Sequence, residues 1–278
     1  MRGVAFYPSY KGTADDAGQC LRNQERLTVD LGLRDRVYLT TGGSRGLGFA
    51  AAKILVSEGA RVVLSGRRGE AAARAAAELG GPACAVSLAA DNADPDTAQR
   101  LVASALGAFG RVDGALISGP WPRSGELSST TDSDWRDGFE SVFLGALRIA
   151  RAVAAETDVG GSIAFVLSPV VRIPIPWLAI SSGLRPGLAM AAKILADELG
   201  PRGIRVNGLL PARTSTEGLQ ELDMEGEGSA TRLRAWSPLG RDGTPEEFGR
   251  VAAFVLSPAA SYVTGAMIAV DGGAQRSL

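Results

Sequence analysis

Short apolar runs alternate with amphipathic stretches along most of this chain. Strand-like runs fall near residues 36–40, 61–65, 83–87, 114–118, 162–167, 203–209 and 266–270. Between them apolar residues recur at helical spacing. The first such stretch, Phe49 to Val56, follows the apolar run Val37-Tyr38-Leu39 across a glycine-rich turn. The longest cover about 132–156 and 178–199, and Gly200-Pro201-Arg202-Gly203 closes the second with stop signals. Strand alternating with helix predicts an α/β fold: a single doubly wound parallel sheet of about seven strands with helices on both faces.

Two segments depart from this rhythm. Residues 1–29 contain Tyr7, Pro8, Tyr10 and Gly12 and a polar run through Gln24, without sustained periodicity. They are expected to form a mobile extension or surface arm ahead of a domain spanning 30–278, with a lid or subunit contact as the alternatives. Segment 217–236 is weakly helical, acidic and interrupted by Gly226 and Gly228. Lying between a strand and the last helix, it is either a substrate lid or a solvated helical pair.

Composition narrows the classes. The chain has 278 residues, 45% of them hydrophobic, enough to bury the core of one such domain. Net charge is −1 and basic residues are scattered, so neither a nucleic acid nor a membrane surface is an expected partner. No apolar run is long enough to span a bilayer, and the N-terminus lacks a signal-peptide pattern. Cys20 and Cys84 are too few for a disulfide framework, and the absence of histidine removes the commonest metal ligand and general base. No metal site is expected, and a cytoplasmic location is.

The chemistry begins at Thr41-Gly42-Gly43-Ser44-Arg45-Gly46-Leu47-Gly48. Strand, glycine turn and helix in that order are the context in which backbone N–H groups cradle a pyrophosphate, as in a Rossmann-type fold. Gly42 suits the tight turn, Gly46 lets the main chain approach the phosphates, and Gly48 lets the helix pack closely on the strand. The next strand ends at Gly66-Arg67-Arg68, where an NAD-preferring site would place an acidic residue on the ribose hydroxyls. Arg67 and Arg45 together suit a 2′-phosphate, which favours NADP(H) over NAD(H). The alternative for Arg67 and Arg68 is a pair of solvated charges opening the next helix.

From about residue 30 to the end, these features resemble the short-chain dehydrogenase/reductase family, most closely its 3-oxoacyl-carrier-protein-reductase-like members. Thr41 to Gly48 match the family's Thr-Gly-x-x-x-Gly-x-Gly turn, and Asp91 its adenine-binding acid. Arg205-Val206-Asn207 with Pro211-Ala212 match the strand leading to the nicotinamide pocket. Leu239-Gly240-Arg241, Thr244-Pro245-Glu246-Glu247, Val263-Thr264-Gly265 and Val270-Asp271-Gly272-Gly273 match the C-terminal signature. The resemblance implies that Gly42, Ser44, Arg45, Gly46, Leu47 and Gly48 bind the cofactor, together with Arg67, Asp91 and Asn92. It implies the same of Ser118, Gly119, Arg185, Pro211, Thr214 and Thr216. Family members assemble through two long helices, which implies a homodimer or homotetramer.

The family's proton chemistry uses a Tyr, a Lys four residues later, a Ser at the end of the preceding strand and a relay Asn. Ser168 closes the run Ile163-Ala164-Phe165-Val166-Leu167, and thirteen positions on stands Ser181, followed four later by Arg185. Tyr-x-x-x-Lys is therefore replaced by Ser181-Ser182-Gly183-Leu184-Arg185. The family's Asn-Asn-Ala-Gly aligns with Ile117-Ser118-Gly119-Pro120, and the relay Asn with Val142. A serine hydroxyl is a far weaker acid than a phenol, and arginine stays protonated, so the usual relay is lost. Ser181 and Arg185, four apart, share one helix face. Ser168 and Ser181 are candidates to donate to a developing alkoxide, and Arg185 to hold the cofactor's ribose or phosphate or an anionic substrate group. The alternative is that all three only pack and cap locally. None of the four tyrosines is an obvious substitute, and Trp121, Trp135 and Trp177 are candidate pocket walls.

Two classes of function follow. One is an NADP(H)-dependent oxidoreductase acting on a small carbonyl or related molecule by a non-standard proton path. The other is a nucleotide-binding scaffold used for lyase, isomerase or cyclase chemistry, or as a catalytically inactive binding protein.

Overall fold

In a computed structural model, residues 29–217 and 237–276 are described. The chain divides into the units Met1–Leu31 and Gly32–Leu278. Most of the predicted extension, and the predicted lid beyond its first residue, lie outside the described residues.

Alternation of side chains across a pleated strand explains the architecture of Gly32–Leu278. Strands β1 (Val37–Thr40), β2 (Arg61–Gly66), β3 (Ala85–Ala89), β4 (Val112–Ser118), β5 (Thr157–Val166), β6 (Arg205–Pro211) and β7 (Met267–Val270) form one parallel sheet. Its order is β3-β2-β1-β4-β5-β6-β7. Val37 and Leu39, Ala115 and Ile117, and Ile163 and Phe165 belong to one core. Against them pack α3 (Thr97–Phe109), α5 (Gly145–Glu156) and α6 (Ala179–Leu199). Tyr38 alternates to the other face, where its hydroxyl donates to Leu256 O at 3.1 Å, in the last turn of α7 (Pro245–Leu256). Burial raises the Tyr38 pKa above its ordinary value. Helices α1 (Gly46–Ser57) and α2 (Gly69–Glu78) complete the βα alternation.

The predicted strands all form, displaced by a few residues at their ends; β5 begins at Thr157, ahead of the expected 162. The helix expected over 132–156 forms without a break but is not α-helical throughout. It runs as α4 (Asp132–Gly138), a π-helical segment at Phe139–Leu144, and α5. A π segment shifts the side-chain phase, a change an apolar pattern read at 3.6 residues per turn does not separate. Helix α6 follows its prediction but carries Pro186 inside it, immediately after Arg185.

Helix α7 opens on a capping box: Thr244 Oγ1 accepts from Glu247 N at 3.2 Å, and Thr244 N donates to Glu247 Oε2 at 2.8 Å. Arg241 grips the same carboxylate at 2.6 and 2.9 Å. Arg241 first, then the Thr244 N–H, lower the Glu247 pKa from 4.5 to about 2. A depressed folded pKa contributes stability above the unfolded value that is lost as pH falls through the folded one. Glu247→Gln is therefore expected to lower the Tm by about 3 °C at neutral pH. The gap to wild type should close between pH 4.5 and about 2 in paired thermal melts; a gap unchanged across that window would refute the assignment.

Among the described residues no helix is long and apolar enough to cross a membrane.

Candidate functional site

Parallel strands deliver their carboxyl ends to one edge of a sheet, and a crevice opens where the order reverses, here between β1 and β4. A cavity of about 650 Å³ lies along this edge.

The turn after β1 forms its floor. Gly42 takes a positive φ of 60°, the freedom its tight turn was expected to need, and Gly46 a positive φ of 59°. Gly48 has a different role from the one expected. A Cβ there would lie 2.5 Å from Gly42 O, so the close approach it permits is that of helix α1 to the turn's own backbone. Thr41 ties the floor to β4: Ser118 N donates to Thr41 Oγ1 at 2.8 Å, and Thr41 Oγ1 donates to Ser118 O at 2.9 Å. Asn92 Nδ2 adds a bond to the same carbonyl at 3.3 Å. Gly42, Ser44, Arg45, Gly46, Leu47 and Gly48 all line the cavity, as do Asn92, Ser118 and Gly119.

At the β2 end the wall is cationic: Arg67 and Arg68 line the cavity beside Arg45. Arg45 Nη1 lies 3.8 Å from Glu217 Oε2, an exposed pair that contributes little on its own. Asp91 lines the cavity beyond β3, with its Oδ1 accepting from Ala93 N at 3.0 Å. Pro211, Thr214 and Thr216 line the side beyond β6.

The remaining end is built around Arg185. Its side chain lines the cavity, yet the residue is only 4% exposed. Nε donates to Ser181 Oγ at 2.9 Å, Nη1 to Val166 O at 3.0 Å and Nη2 to Pro120 O at 3.4 Å. The guanidinium carbon stands 5.6 Å from the centre of the Trp121 ring. Burial brings its pKa down to about 10, so it remains a cation at neutral pH.

Ser168 and Ser181 do not line the cavity. Both are buried; Ser168 Oγ accepts from Val170 N at 3.5 Å as the cap of a short 3-10 turn, and Ser181 Oγ holds Arg185. Val142 is buried within the π segment. Neither of the described tyrosines lines the cavity: Tyr38 is fully buried under α7, and Tyr262 is fully exposed. Of the three candidate tryptophan walls, only Trp121 lines it. Trp135 instead packs over Gly183 of α6 with its Nε1 donating to Thr130 Oγ1 at 3.1 Å. The binding residues expected from the sequence did not include Gly66, Ala90, Pro120, Val166, Leu167 and Ala212, which also line the cavity; their positions at or just past strand ends were the available signal.

Comparison with known proteins agrees with this architecture. Residues 42–275 match the family model described as enoyl-(acyl carrier protein) reductase. An uncharacterized oxidoreductase of Methylorubrum extorquens is 35% identical over 245 residues, covering 87% of this chain and 98% of its own. An L-rhamnose 1-dehydrogenase (NAD(P)(+)) of Azotobacter vinelandii is 34% identical over 258 residues, 87% of this chain and 97% of its own. The crystal structure of a short chain dehydrogenase from Burkholderia cenocepacia J2315 in complex with NADP superposes with a TM-score of 0.81 at 28% identity, covering 87% of this chain and 99% of that one. The chain belongs to the short-chain dehydrogenase/reductase family of oxidoreductases.

Proposed function

We propose that this protein is an NADP(H)-dependent oxidoreductase for a small carbonyl compound or the corresponding alcohol, working through a site that departs from the family's Tyr-x-x-x-Lys pair. The observation that carries the reading is one continuous cavity joining the glycine turn, the arginine wall and Arg185. Its residues fit a dinucleotide phosphate. The turn leaves no room for a side chain at Gly48, the start of α1 offers N–H groups to an anion, and Arg45 and Arg67 suit the 2′-phosphate. When bound, the nicotinamide supplies or accepts a hydride.

The rest falls to this chain. Ser181 positions Arg185, and Arg185 presents its charge to the cavity. With no tyrosine in the lining among the described residues, water or the substrate's own hydroxyl carries the proton at the reacting oxygen. We place the protein in the cytoplasm as a homodimer or homotetramer. The exposed Met190 and Ile194 of α6 support the assembly.

A second reading rests on the seclusion of Ser168 and Ser181: the scaffold binds nucleotide for non-redox chemistry, or only binds it. Titration with NADPH and NADH, followed by quenching of tryptophan fluorescence, separates the readings at the first step, since Trp121 lines the cavity. NADPH should bind more tightly, and Arg45→Ala/Arg67→Ala should lose about 10- to 100-fold in NADPH affinity while leaving NADH little changed. Binding of neither nucleotide would sink the oxidoreductase reading.

A further inference from the structure

A buried cation needs compensation, and most of the arginines held inside this fold have it. Arg213 pairs with Asp242 at 3.0 Å, and the half-buried Arg36 shares Asp113 with the exposed Arg111. Arg205 is 7% exposed and has no carboxylate partner among the described residues, but it donates to the carbonyls of Val255, Leu256 and Ser257 at 2.7, 3.3 and 2.9 Å. Those carbonyls are the negative end of α7, a suitable place for a cation.

Arg185 has neither arrangement. Its acceptors are one hydroxyl and two main-chain carbonyls, from the end of β5 and the segment after β4, and no ion pair reaches it among the described residues. A guanidinium has five N–H donors. Three are used, which leaves one N–H on each terminal nitrogen without a partner among the described residues. The acidic residues lining the cavity are Asp91 and Glu217, the first beyond β3 and the second beside Arg45. The end at Arg185 therefore combines a desolvated cation, spare donors and open volume. The sheet order sets it on the far side of the glycine turn from Arg67 and Arg68. One anion, the cofactor's phosphate, does not serve both ends.

We propose that Arg185 receives a carboxylate carried by the substrate, so that the reaction's substrates are small carboxylate-bearing carbonyl compounds or alcohols, and not neutral ones. The proposal rests on the oxidoreductase reading of this cavity. The carboxylate meets the terminal N–H groups, with the Trp121 ring centre 5.6 Å from the guanidinium carbon. Ser181, by fixing Nε, sets the direction of the fork.

Malonate and the neutral malonamide are the probes, titrated at constant ionic strength into the full chain with saturating NADPH, with Tm and tryptophan fluorescence as readouts. Saturable malonate binding without malonamide binding is expected. Arg185→Met should weaken it by about 10- to 100-fold, Arg185→Lys should weaken it less, and Arg45→Ala/Arg67→Ala should leave it intact. Should Arg185→Met fail to fold, the malonate and malonamide comparison and the Lys variant still decide. Malonate and malonamide binding alike, or neither binding, overturns the proposal, as does malonate binding lost in the Arg45/Arg67 variant but kept in Arg185→Lys and Arg185→Met. NADPH binding read in the same titrations keeps these failures distinct from failure of the oxidoreductase reading.

Discussion

Gly145→Ala is expected to lower the Tm by roughly 5–10 °C and to weaken NADPH binding, whereas Gly107→Ala should raise the Tm by about 2–3 °C. Both glycines lie in helices, α5 and α3, and neither has a positive φ. Backbone freedom therefore favours alanine at each. What differs is space. A Cβ on Gly145 would overlap the Asn92 carbonyl oxygen, while one on Gly107 meets nothing within 4 Å. Backbone cannot swing aside as a flexible side chain can, so α5 must back away from Asn92 or Asn92 must move. Either shift reaches the site, because Asn92 bonds Ser118 O and both residues line the cavity. Melts of the two variants with and without NADPH test this. Equal Tm changes of one sign would show that helix propensity, and not the contact at Asn92, governs both positions.

The contrast between these glycines marks where sequence reasoning stops. The turn at 42–48 is legible because its residues are consecutive and their spacing is dictated by an anion at a helix start. The need for glycine at 145 comes from a carbonyl more than fifty positions away in the chain, and nothing local signals it. The strands were legible for the same reason as the turn: β1, β2, β4 and β6 are buried along almost their whole length, and each carries a local apolar run, Val37-Tyr38-Leu39, Val62-Val63-Leu64, Ala115-Leu116-Ile117 and Leu209-Leu210. Arg185 shows both sides. Its position opposite Ser181 follows from helical spacing, but the seclusion of Ser181 from the cavity does not. Nor do its carbonyl partners, which come from the end of β5 and the segment after β4, or the Trp121 ring near it.

The largest expected gain comes from changing that pair together. Ser181→Tyr/Arg185→Lys places a phenol where the hydroxyl now holds the guanidinium, and an ammonium four residues on. Ser181 is itself 1% exposed and its Oγ lies 2.9 Å from Arg185 Nε, so the variant is expected to fold with the ring in the space that the shorter lysine leaves beside the cavity. The reference pKa of a phenol is about 10, and a neighbouring ammonium favours its ionised form. A positioned acid of this kind contributes about 10²- to 10⁴-fold to proton transfer. Reduction of neutral ketones by NADPH should rise by about that factor in kcat/KM, while malonate, if it binds the native site at Arg185, should bind the double variant more weakly. The two effects together would mean that the native residues trade a general acid for anion recognition. A double variant that folds and binds NADPH yet gains nothing toward neutral ketones would mean that the missing phenol is not what limits this site. The seclusion of Ser168 and Ser181 would then favour the non-redox reading.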